Sequence, residues 1–190
     1  ISMTKKSFIK FLGLLLVVGL LFAAAPVGQA QAATLDVCPS GCTYSTIQDA
    51  IDGAAAGDTI NVAAGSYNEN VTVDKQLTIV GAGAESVTVD ALVSTLPCFH
   101  ITADGVSLSG FKVTGALDDQ TDAILLDDAD NCTISNNIAT NNYWGITLDN
   151  AANNTISENV ANSNTAQGIG LVGADTTGNQ IVGNTASNNA

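Results

Sequence analysis

The sequence predicts an all-β fold, a right-handed parallel β-helix (a solenoid), with three short strands per coil, about five coils and an N-terminal capping helix. The first observation is a repeat. The segment TISNNIATNN at 133–142 returns as TISENVANSN at 155–164 and as QIVGNTASNN at 180–189, at offsets of 22 and 25 residues. Repeats with a period of about 20–50 residues are typical of solenoids. The second observation is that short apolar segments come in sets of three, and the third segments centre on Ile79, Leu108, Ile134, Ile156 and Ile181.

The pattern of residues 1–32 is typical of a secretory signal peptide. Three lysines precede the uncharged, mostly apolar run 11–25, and Ala30-Gln31-Ala32 offers small residues for cleavage. Met3 is the expected start, so residues 1–2 lie upstream of it. The apolar run is short for a membrane span, although an uncleaved anchor is the alternative. The remaining residues, 33–190, contain no linker-like stretch and are predicted to form one β-helix domain.

The net charge of the chain excludes some classes of binding partner. Two lysines and 18 acidic residues remain after cleavage, which gives a formal net charge of −16, and the sequence contains no arginine. Such a surface repels nucleic acid and anionic membranes, so neither is an expected partner. We expect a secreted protein that is extracellular, bound at the cell surface or periplasmic.

Four cysteines belong to the mature chain. Cys38 and Cys42 lie in CPSGC, and in an exported protein this spacing favours a disulfide that closes a small loop. A zinc pair is the weaker alternative, because no second Cys/His pair has suitable spacing. Cys98 and Cys132 are candidates for a second bridge, and the sequence leaves their pairing open.

One helix is predicted, within YSTIQDAIDGAAAGD at residues 44–58. Ser45 and Gln48 have the spacing of a capping box. The Gly57-Asp58 pair is expected to end the helix. Four apolar residues fall on one helical face: Ile47, Ala50, Ile51 and Ala54.

After Asp58 the chain alternates short apolar strands with Gly, Asn and Asp. Successive coils should stack at a strand spacing of about 4.8 Å, which aligns inward residues in columns. The sequence predicts the columns Ile124–Ile146–Ile169 and Leu126–Leu148–Leu171.

The repeated asparagines are predicted to form a structural ladder. Asn137, Asn159 and Asn184 begin the same pattern, N-x-A-x-x-N, in successive coils. Stacking would place them above one another at a turn, where each amide can donate to and accept from the next. Asparagine also tolerates the left-handed backbone that a sharp turn requires.

Two segments resemble the pectin-lyase-like superfamily of secreted β-helices. Residues 44–83, with GDTI, GSYNE and LTIVGAG, are similar to the opening of many extracellular members. Residues 141–164, NNYWGITLDNAANNTISENVANSN, are similar to the short-coil repeats of NosD-like periplasmic proteins. The resemblance covers nearly all of the mature chain and implies the fold. It leaves function open, because the superfamily includes lyases, hydrolases, esterases, epimerases and proteins without known catalysis.

No complete catalytic set is apparent. The resemblance implies an arginine or lysine base for lyases, but Lys75 and Lys112 have no evident carboxylate cluster within their own motifs and are expected on the surface. His100 alternates with the inward Phe99 and Ile101 and should point outward. These observations favour a non-catalytic role for this chain, and no residue is assigned a catalytic function.

An acidic run, ALDDQTDAILLDDADN, is the strongest candidate for cation binding, with calcium as the candidate ion. The six carboxylates flank a strand and cannot all share one ion, and a solvated acidic face is the competing interpretation. The candidate ligands are Asp118, Asp119, Asp122, Asp127, Asp128 and Asp130.

Tyr143 and Trp144 precede a strand, and their rings are candidates for stacking on sugars or for packing against the neighbouring coil. The sequence therefore favours a secreted or cell-surface β-helix scaffold that interacts with a polysaccharide or cell-wall glycan. One alternative is a polysaccharide lyase, glycoside hydrolase or epimerase with catalytic residues beyond Ala190. A NosD-like periplasmic accessory protein is the other.

The last coil lacks a recognisable cap. Repeat proteins normally cover this end, so we expect the natural protein to continue beyond Ala190. An uncapped final coil would also favour edge-to-edge self-association.

Overall fold

The computed structural model describes residues 31–190, and the predicted leader lies outside this range except for its last two positions. In chain order the strands are β1 (Thr34–Val37), β2 (Thr59–Val62), β3 (Gly65–Asn68), β4 (Val71–Val73), β5 (Thr78–Gly81), β6 (Val87–Asp90), β7 (Phe99–Ile101), β8 (Ser107–Ser109), β9 (Lys112–Thr114), β10 (Asp122–Asp127), β11 (Thr133–Ser135), β12 (Ile138–Thr140), β13 (Trp144–Asp149), β14 (Thr155–Ser157), β15 (Val160–Asn162), β16 (Ile169–Val172) and β17 (Gln180–Val182). The single helix in the described residues, α1, spans Ile47–Gly53.

The strands form three parallel sheets that wind into a solenoid of about six turns, which confirms the predicted architecture. Sheet 1 has the order β1-β2-β5-β8-β11-β14-β17, sheet 2 the order β15-β12-β9-β6-β3, and sheet 3 the order β16-β13-β10-β7-β4. The five complete coils each contribute one strand to every sheet, and β1 and β17 add a further strand at either end of sheet 1. The short strands exist because Gly, Asn and Asp interrupt the apolar runs at each corner.

The predicted apolar columns line the interior. In sheet 3, Ile124 pairs with Ile146, and Ile146 pairs with Ile169. Leu126 pairs with Leu148, which pairs with Leu171. The third-strand series predicted from the repeat is aligned in sheet 1 in the expected register: Ile79, Leu108, Ile134, Ile156 and Ile181. The columns become exposed only in the last coil, at Leu171 and Ile181.

The helix covers the N-terminal end of the core and differs in detail from the prediction. Its N-cap is Thr46, whose hydroxyl accepts from the N–H of Asp49 at 3.1 Å, so the Ser45–Gln48 capping box was placed one residue early. The helix ends at Gly53, before Gly57-Asp58. Both carboxylate oxygens of the buried Glu69 accept from the first helical N–H groups, at 2.9 and 3.0 Å.

Lys75 is bound to the protein rather than extended into solvent. Its Nζ donates to the carbonyl groups of Ile51, Asp52 and Ala54, at 2.9, 3.0 and 3.2 Å. A cation at the C-terminus of a helix satisfies unpaired carbonyls and opposes the negative end of the helix dipole. The expectation of a solvated surface lysine was therefore wrong.

Two strands have no counterpart in the sequence-based prediction. β1 pairs with β2 in parallel and begins sheet 1, although it precedes the helix. β3 contains Gly65, Ser66 and Asn68, which are poor strand formers, and only Tyr67 carries a large buried side chain. Pairing with β6 and burial of that one ring override the weak local preference.

Cys38 and Cys42 form the predicted disulfide. Cys98 and Cys132 are free and buried, so the candidate second bridge is absent. The Cys98 thiol lies near the carbonyl oxygens of Glu69, Val89 and Thr114. The two cysteines lie in different coils, and both thiols point into the core. Each fills its position as a small apolar side chain would.

All three corners of the solenoid carry stacked asparagines, which are buried except in the last coil, where they are partly exposed. The corner between sheets 1 and 2 holds Asn137, Asn159 and Asn184, which are hydrogen-bonded in series. The corner between sheets 2 and 3 holds a second hydrogen-bonded series, Asn142, Asn164 and Asn189. The corner between sheets 3 and 1 holds Asn154 and Asn179.

The left-handed residue at each corner is the one that precedes the stacked asparagine. Asn136, Asn141 and Asn153 have φ values of 56°, 57° and 57°. The stacked asparagines themselves do not have positive φ. The expectation that backbone tolerance explains the stacked residues was therefore wrong, because that property belongs to their neighbours, while the stacked amides serve as hydrogen-bonding groups.

Candidate functional site

The outer face of sheet 3 brings together most of the chemically distinctive side chains. Its central strands are β7, β10 and β13, and we use the term sheet-3 face for the outward residues on them. In β13, Ile146 and Leu148 are fully buried in the core, so the intervening Thr147 points outward. The residues of the sheet-3 face are His100, Asp122, Leu125, Asp127, Trp144, Thr147 and Asp149.

Asp122 is the most unusual of these residues. Its side chain is 3% exposed, and its Oδ1 has no hydrogen-bond partner. Burial raises the pKa of Asp122 to about 6, and the Asp149 charge adds to this effect, whereas hydrogen bonding by Thr147 and the proximity of His100 lower it. A buried carboxylate oxygen without a donor costs about 1–3 kcal/mol or more. Such a cost is commonly found where a ligand or a reaction uses the group.

The position of Asp122 follows from the start of β10. Its own carbonyl accepts from the N–H of Cys98 at 3.0 Å. The next two residues, Ala123 and Ile124, are both fully buried, so the strand does not alternate regularly at this point. The irregularity places the Asp122 carboxylate beside Thr147 on the sheet-3 face rather than in the core.

His100 lies on the same face and is paired with Asp127. The distance between His100 Nε2 and Asp127 Oδ2 is 3.0 Å, and the two side chains are 33% and 43% exposed. In the strand register His100 pairs directly with Leu125, so Asp127, two residues further along β10, is the diagonal neighbour of His100 on the same face. His100 is therefore outward, as its alternation with Phe99 and Ile101 predicted, and its ring is already hydrogen-bonded to a carboxylate.

Tyr143 and Trp144 are adjacent, half-buried rings at the start of β13. Their centroids are 5.8 Å apart, with planes inclined at 57°. Trp144 pairs directly with Asp122 across the strands. Hydrogen bonding to Asp119 is the largest cause that raises the pKa of the Tyr143 hydroxyl. Trp144 is therefore the cross-strand neighbour of Asp122, and Tyr143 precedes Trp144 in the chain.

The corner loops beside these rings are apolar and exposed. Leu92 and Leu96 lie in the loop before β7, and Leu117 lies in the loop before β10, with exposures of 69%, 49% and 58%. The first loop is held in place by Asn70, which donates to three of its carbonyls and accepts from the N–H of Val93. The loops are also joined by Ser94, whose Oγ donates to Asp118 at 3.2 Å.

The six acidic candidates for cation binding do not converge. Asp127 pairs with His100, and Asp130 accepts from the N–H of Ala152 at 2.6 Å. Asp128 is exposed at the far corner with φ 51°. Within residues 31–190, no group of three or more His, Cys, Asp or Glu side chains is arranged to hold a metal ion. The calcium interpretation stays a prediction.

Sequence reasoning identified Tyr143, Trp144 and Asp122 but did not bring them together. It did not identify Thr147 or Asp149 as parts of the site. The repeat offset of 22 residues was the available signal, because it aligns Leu125 with Thr147 and Asp127 with Asp149. His100 and Asp127 lie 27 residues apart, on strands of two successive coils. No local motif in the sequence indicates that they pair.

Comparisons with known proteins agree with the observed fold. The chain resembles an alginate lyase from Paenibacillus sp. str. FPU-7 with a TM-score of 0.57 and 20% identity, over 68% of this chain and 45% of that one. It resembles the pectin methylesterase PemA from Erwinia chrysanthemi with a TM-score of 0.52 and 15% identity, over 70% of this chain and 56% of that one. At these identities the likeness shows a shared fold.

A curated relative comes from Methanothermus fervidus. It is described as a cell surface glycoprotein and is 32% identical over 126 residues. The match spans 65% of this chain and 20% of the length of the glycoprotein. In the described part of this chain, no helix has the length and apolar character needed to cross a membrane.

The sequence profile of a family described as periplasmic copper-binding protein (NosD) matches residues 51–190. The residues present do not fit a copper ion. Copper favours His, Cys and Met ligands, whereas the described chain has one histidine, which is bonded to Asp127, and two free thiols, which are buried. The repeat of short coils nevertheless extends through the whole matched region, and the chain belongs to the NosD family.

Proposed function

We propose that this chain is a secreted or cell-surface β-helix scaffold that binds a polysaccharide or cell-wall glycan on the sheet-3 face. The observation that carries the proposal is the cross-strand pairing of Trp144 with Asp122, an aromatic residue next to a residue whose buried carboxylate oxygen lacks a donor. Sugars present apolar C–H faces and hydroxyl donors on the same molecule. An aromatic ring and an unpaired acceptor match these two features.

The surroundings of this pair support an extended ligand. Tyr143 adds a second ring, and Leu92, Leu96 and Leu117 provide an exposed apolar border. Exposed apolar groups that cluster next to polar ones commonly mark binding surfaces. The stacked coils also repeat at about 4.8 Å, so a linear polymer can contact several strands at once.

The relatives favour the same class of ligand. Two solved structures with this fold are named as a lyase and an esterase of polysaccharides, and the curated relative is named as a cell surface glycoprotein. The family description, a periplasmic protein, and the predicted leader agree with export. These observations support the proposal that the protein lies outside the cytoplasm, in the periplasm or at the cell surface.

A second candidate function is that of a polysaccharide-active enzyme. The raised pKa of Asp122 and the nearby Asp149 resemble the tuning of carboxylates in acid–base catalysis. In this case residues outside the chain would complete the site. A NosD-like accessory role is also consistent with the family, but it would not use copper held by residues 31–190.

The test compares glycan binding by the unmodified protein with two variants. Trp144→Ala should weaken binding by about tenfold or more, because stacking on an aromatic ring contributes about 1–3 kcal/mol by analogy with base stacking. Val182→Ala is the matched control, since Val182 is an exposed apolar residue on sheet 1. A glycan array identifies ligands, and calorimetry measures the affinities. Equal effects of the two substitutions would rule out the sheet-3 face.

A further inference from the structure

Carboxylates dominate the charge of the sheet-3 face. Asp119, Asp122, Asp127 and Asp149 lie on it or at its border, and its single basic side chain, His100, is already bonded to Asp127. A uronate polymer would bring further carboxylates to this surface. Recognition of carboxylates normally relies on arginine or lysine, so the face repels such a ligand.

The two lysines of the mature chain cannot correct this imbalance. Lys75 is bonded to three carbonyls at the end of the helix. Lys112 belongs to β9 in sheet 2, where it pairs with Thr88 and Ile138, on a different side of the solenoid. The sequence contains no arginine. The chain thus shares its fold with proteins named for pectin and alginate but lacks the charges that bind anionic sugars.

Asp122 and Trp144 each favour a cation. The Asp122 Oδ1 is buried and has no donor, and an ammonium group supplies three donors together with a compensating charge. Trp144 is its direct partner in the ladder, and an indole face attracts a cation. The Asp122 carboxylate and the Trp144 indole therefore both favour a positively charged ligand group. The adjacent aromatic rings can also pack on a sugar ring.

We propose that the sheet-3 face binds a glycan that carries free amino groups, with the ammonium of one sugar received by Asp122 and its ring packed on Trp144. This inference rests on the proposed function and names its ligand class. Because Asp122 is 3% exposed, the carboxylate or the indole must rotate toward the ligand. The bound ammonium then supplies the missing hydrogen bond and offsets the charges of the neighbouring aspartates.

The experiment measures binding of three hexasaccharides by calorimetry at about 0.15 M salt, where long-range attraction is screened. The probes are β-1,4-linked glucosamine, its N-acetylated counterpart and galacturonate. We expect the glucosamine hexamer to bind about tenfold more tightly than the acetylated one, and galacturonate not to bind. Asp122→Asn should reduce glucosamine binding by about tenfold, the loss expected for one charge-assisted hydrogen bond.

Asp175→Asn is the control, because Asp175 is exposed in another loop and loses the same charge. Equal losses in both variants would assign binding to the net charge of the chain and overturn the inference. Equal affinity for the glucosamine and N-acetylated hexamers, or preference for galacturonate, would also overturn the inference. The proposed function would still stand in either case if Trp144→Ala weakened binding of the hexamer that does bind. If no hexamer binds and no glycan of the array binds, both are refuted.

Discussion

The Oδ1 atom of Asn184 accepts two hydrogen bonds from Asn159, one from Nδ2 at 3.0 Å and one from the backbone N–H at 2.9 Å. One coil earlier, Asn137 donates to Asn159 in the same way, at 3.2 and 3.0 Å. The Nδ2 of Asn159 also donates to the carbonyl of Ile134 at 2.8 Å. Each amide therefore connects the coils on both sides of it.

We predict that Asn159→Ala destabilises the protein by about 2–4 kcal/mol, because the substitution leaves the backbone N–H of Asn137 buried without a partner and removes the amide bonds to Ile134 and Asn184. Asn162→Ala is the control: Asn162 is less buried and accepts only from Ser187. Its loss should cost less than about 1 kcal/mol. Chemical denaturation measures both, and equal destabilisation would contradict a stabilising ladder.

Glu158 has a left-handed backbone conformation at a corner of the solenoid. The residues at the same corner position in the coils before and after it adopt this conformation more easily. The φ of Glu158 is 55°, while the equivalent residues in adjacent coils are Asn136, with φ 56°, and Gly183, with φ 68°. Asparagine tolerates this conformation better than glutamate. We expect Glu158→Asn to stabilise the protein by about 0.5–1 kcal/mol. Glu85→Asn, at an exposed position without positive φ, should not raise the melting temperature.

The fold was predictable because its information is periodic. Ile134, Ile156 and Ile181 recur with the coil, and a parallel solenoid is the architecture that aligns such residues in register. The errors occurred where long-range contacts override local preference. β3 is held by its pairing with β6, and the helix start is fixed by Glu69 from a distant loop.

The candidate site was predictable only as separate residues. Trp144 and Asp122 are 22 positions apart, and their pairing depends on the register of two strands. The missing partner of Asp122 depends on an irregularity at the start of β10, where Ala123 and Ile124 both face inward. No local pattern reports such a feature, because it arises from the packing of three coils.

The free cysteines give a prediction about thiol reactivity. Burial raises the pKa of Cys98 to about 12 and also raises that of Cys132. The reactive thiolate is therefore scarce, and both groups should resist a maleimide at pH 8 in the folded protein. Denaturation without reductant should release two reactive thiols, and reduction should raise the number to four. Finding none before reduction would instead indicate a bridge between Cys98 and Cys132.

The acidic run from Asp118 to Asp130 is the candidate calcium-binding segment, and this hypothesis can be tested by thermal denaturation. If these residues bind the ion, millimolar calcium should raise the melting temperature, because a ligand at 100 times its dissociation constant adds about 2.7 kcal/mol. Combining Asp127→Asn with Asp128→Asn should remove the increase. Magnesium at the same concentration serves as the control for ionic strength. An unchanged melting temperature in calcium would leave these carboxylates as a solvated surface.

The raised pKa of Asp122 predicts how stability depends on pH. Its value in the folded protein is about 6, against 3.8 for an ordinary aspartate. The folded state therefore holds the proton more tightly than the unfolded state. The contribution of Asp122 is fully favourable below about pH 4 and is lost as the pH rises through 6, because the carboxylate must then ionise while buried.

Asp122→Asn removes this ionisation. A difference of about two pKa units corresponds to about 3 kcal/mol, so we expect the variant to be more stable than the unmodified protein by about 1–3 kcal/mol at pH 7.5 and nearly equal to it at pH 4. Denaturation at both pH values measures the difference, and Asp175→Asn should show no such change. Glycan binding supplies an independent reason to keep the aspartate: a variant that gains stability and loses affinity would show that the strain at this position serves recognition. A variant with equal stability at both pH values would contradict the raised pKa.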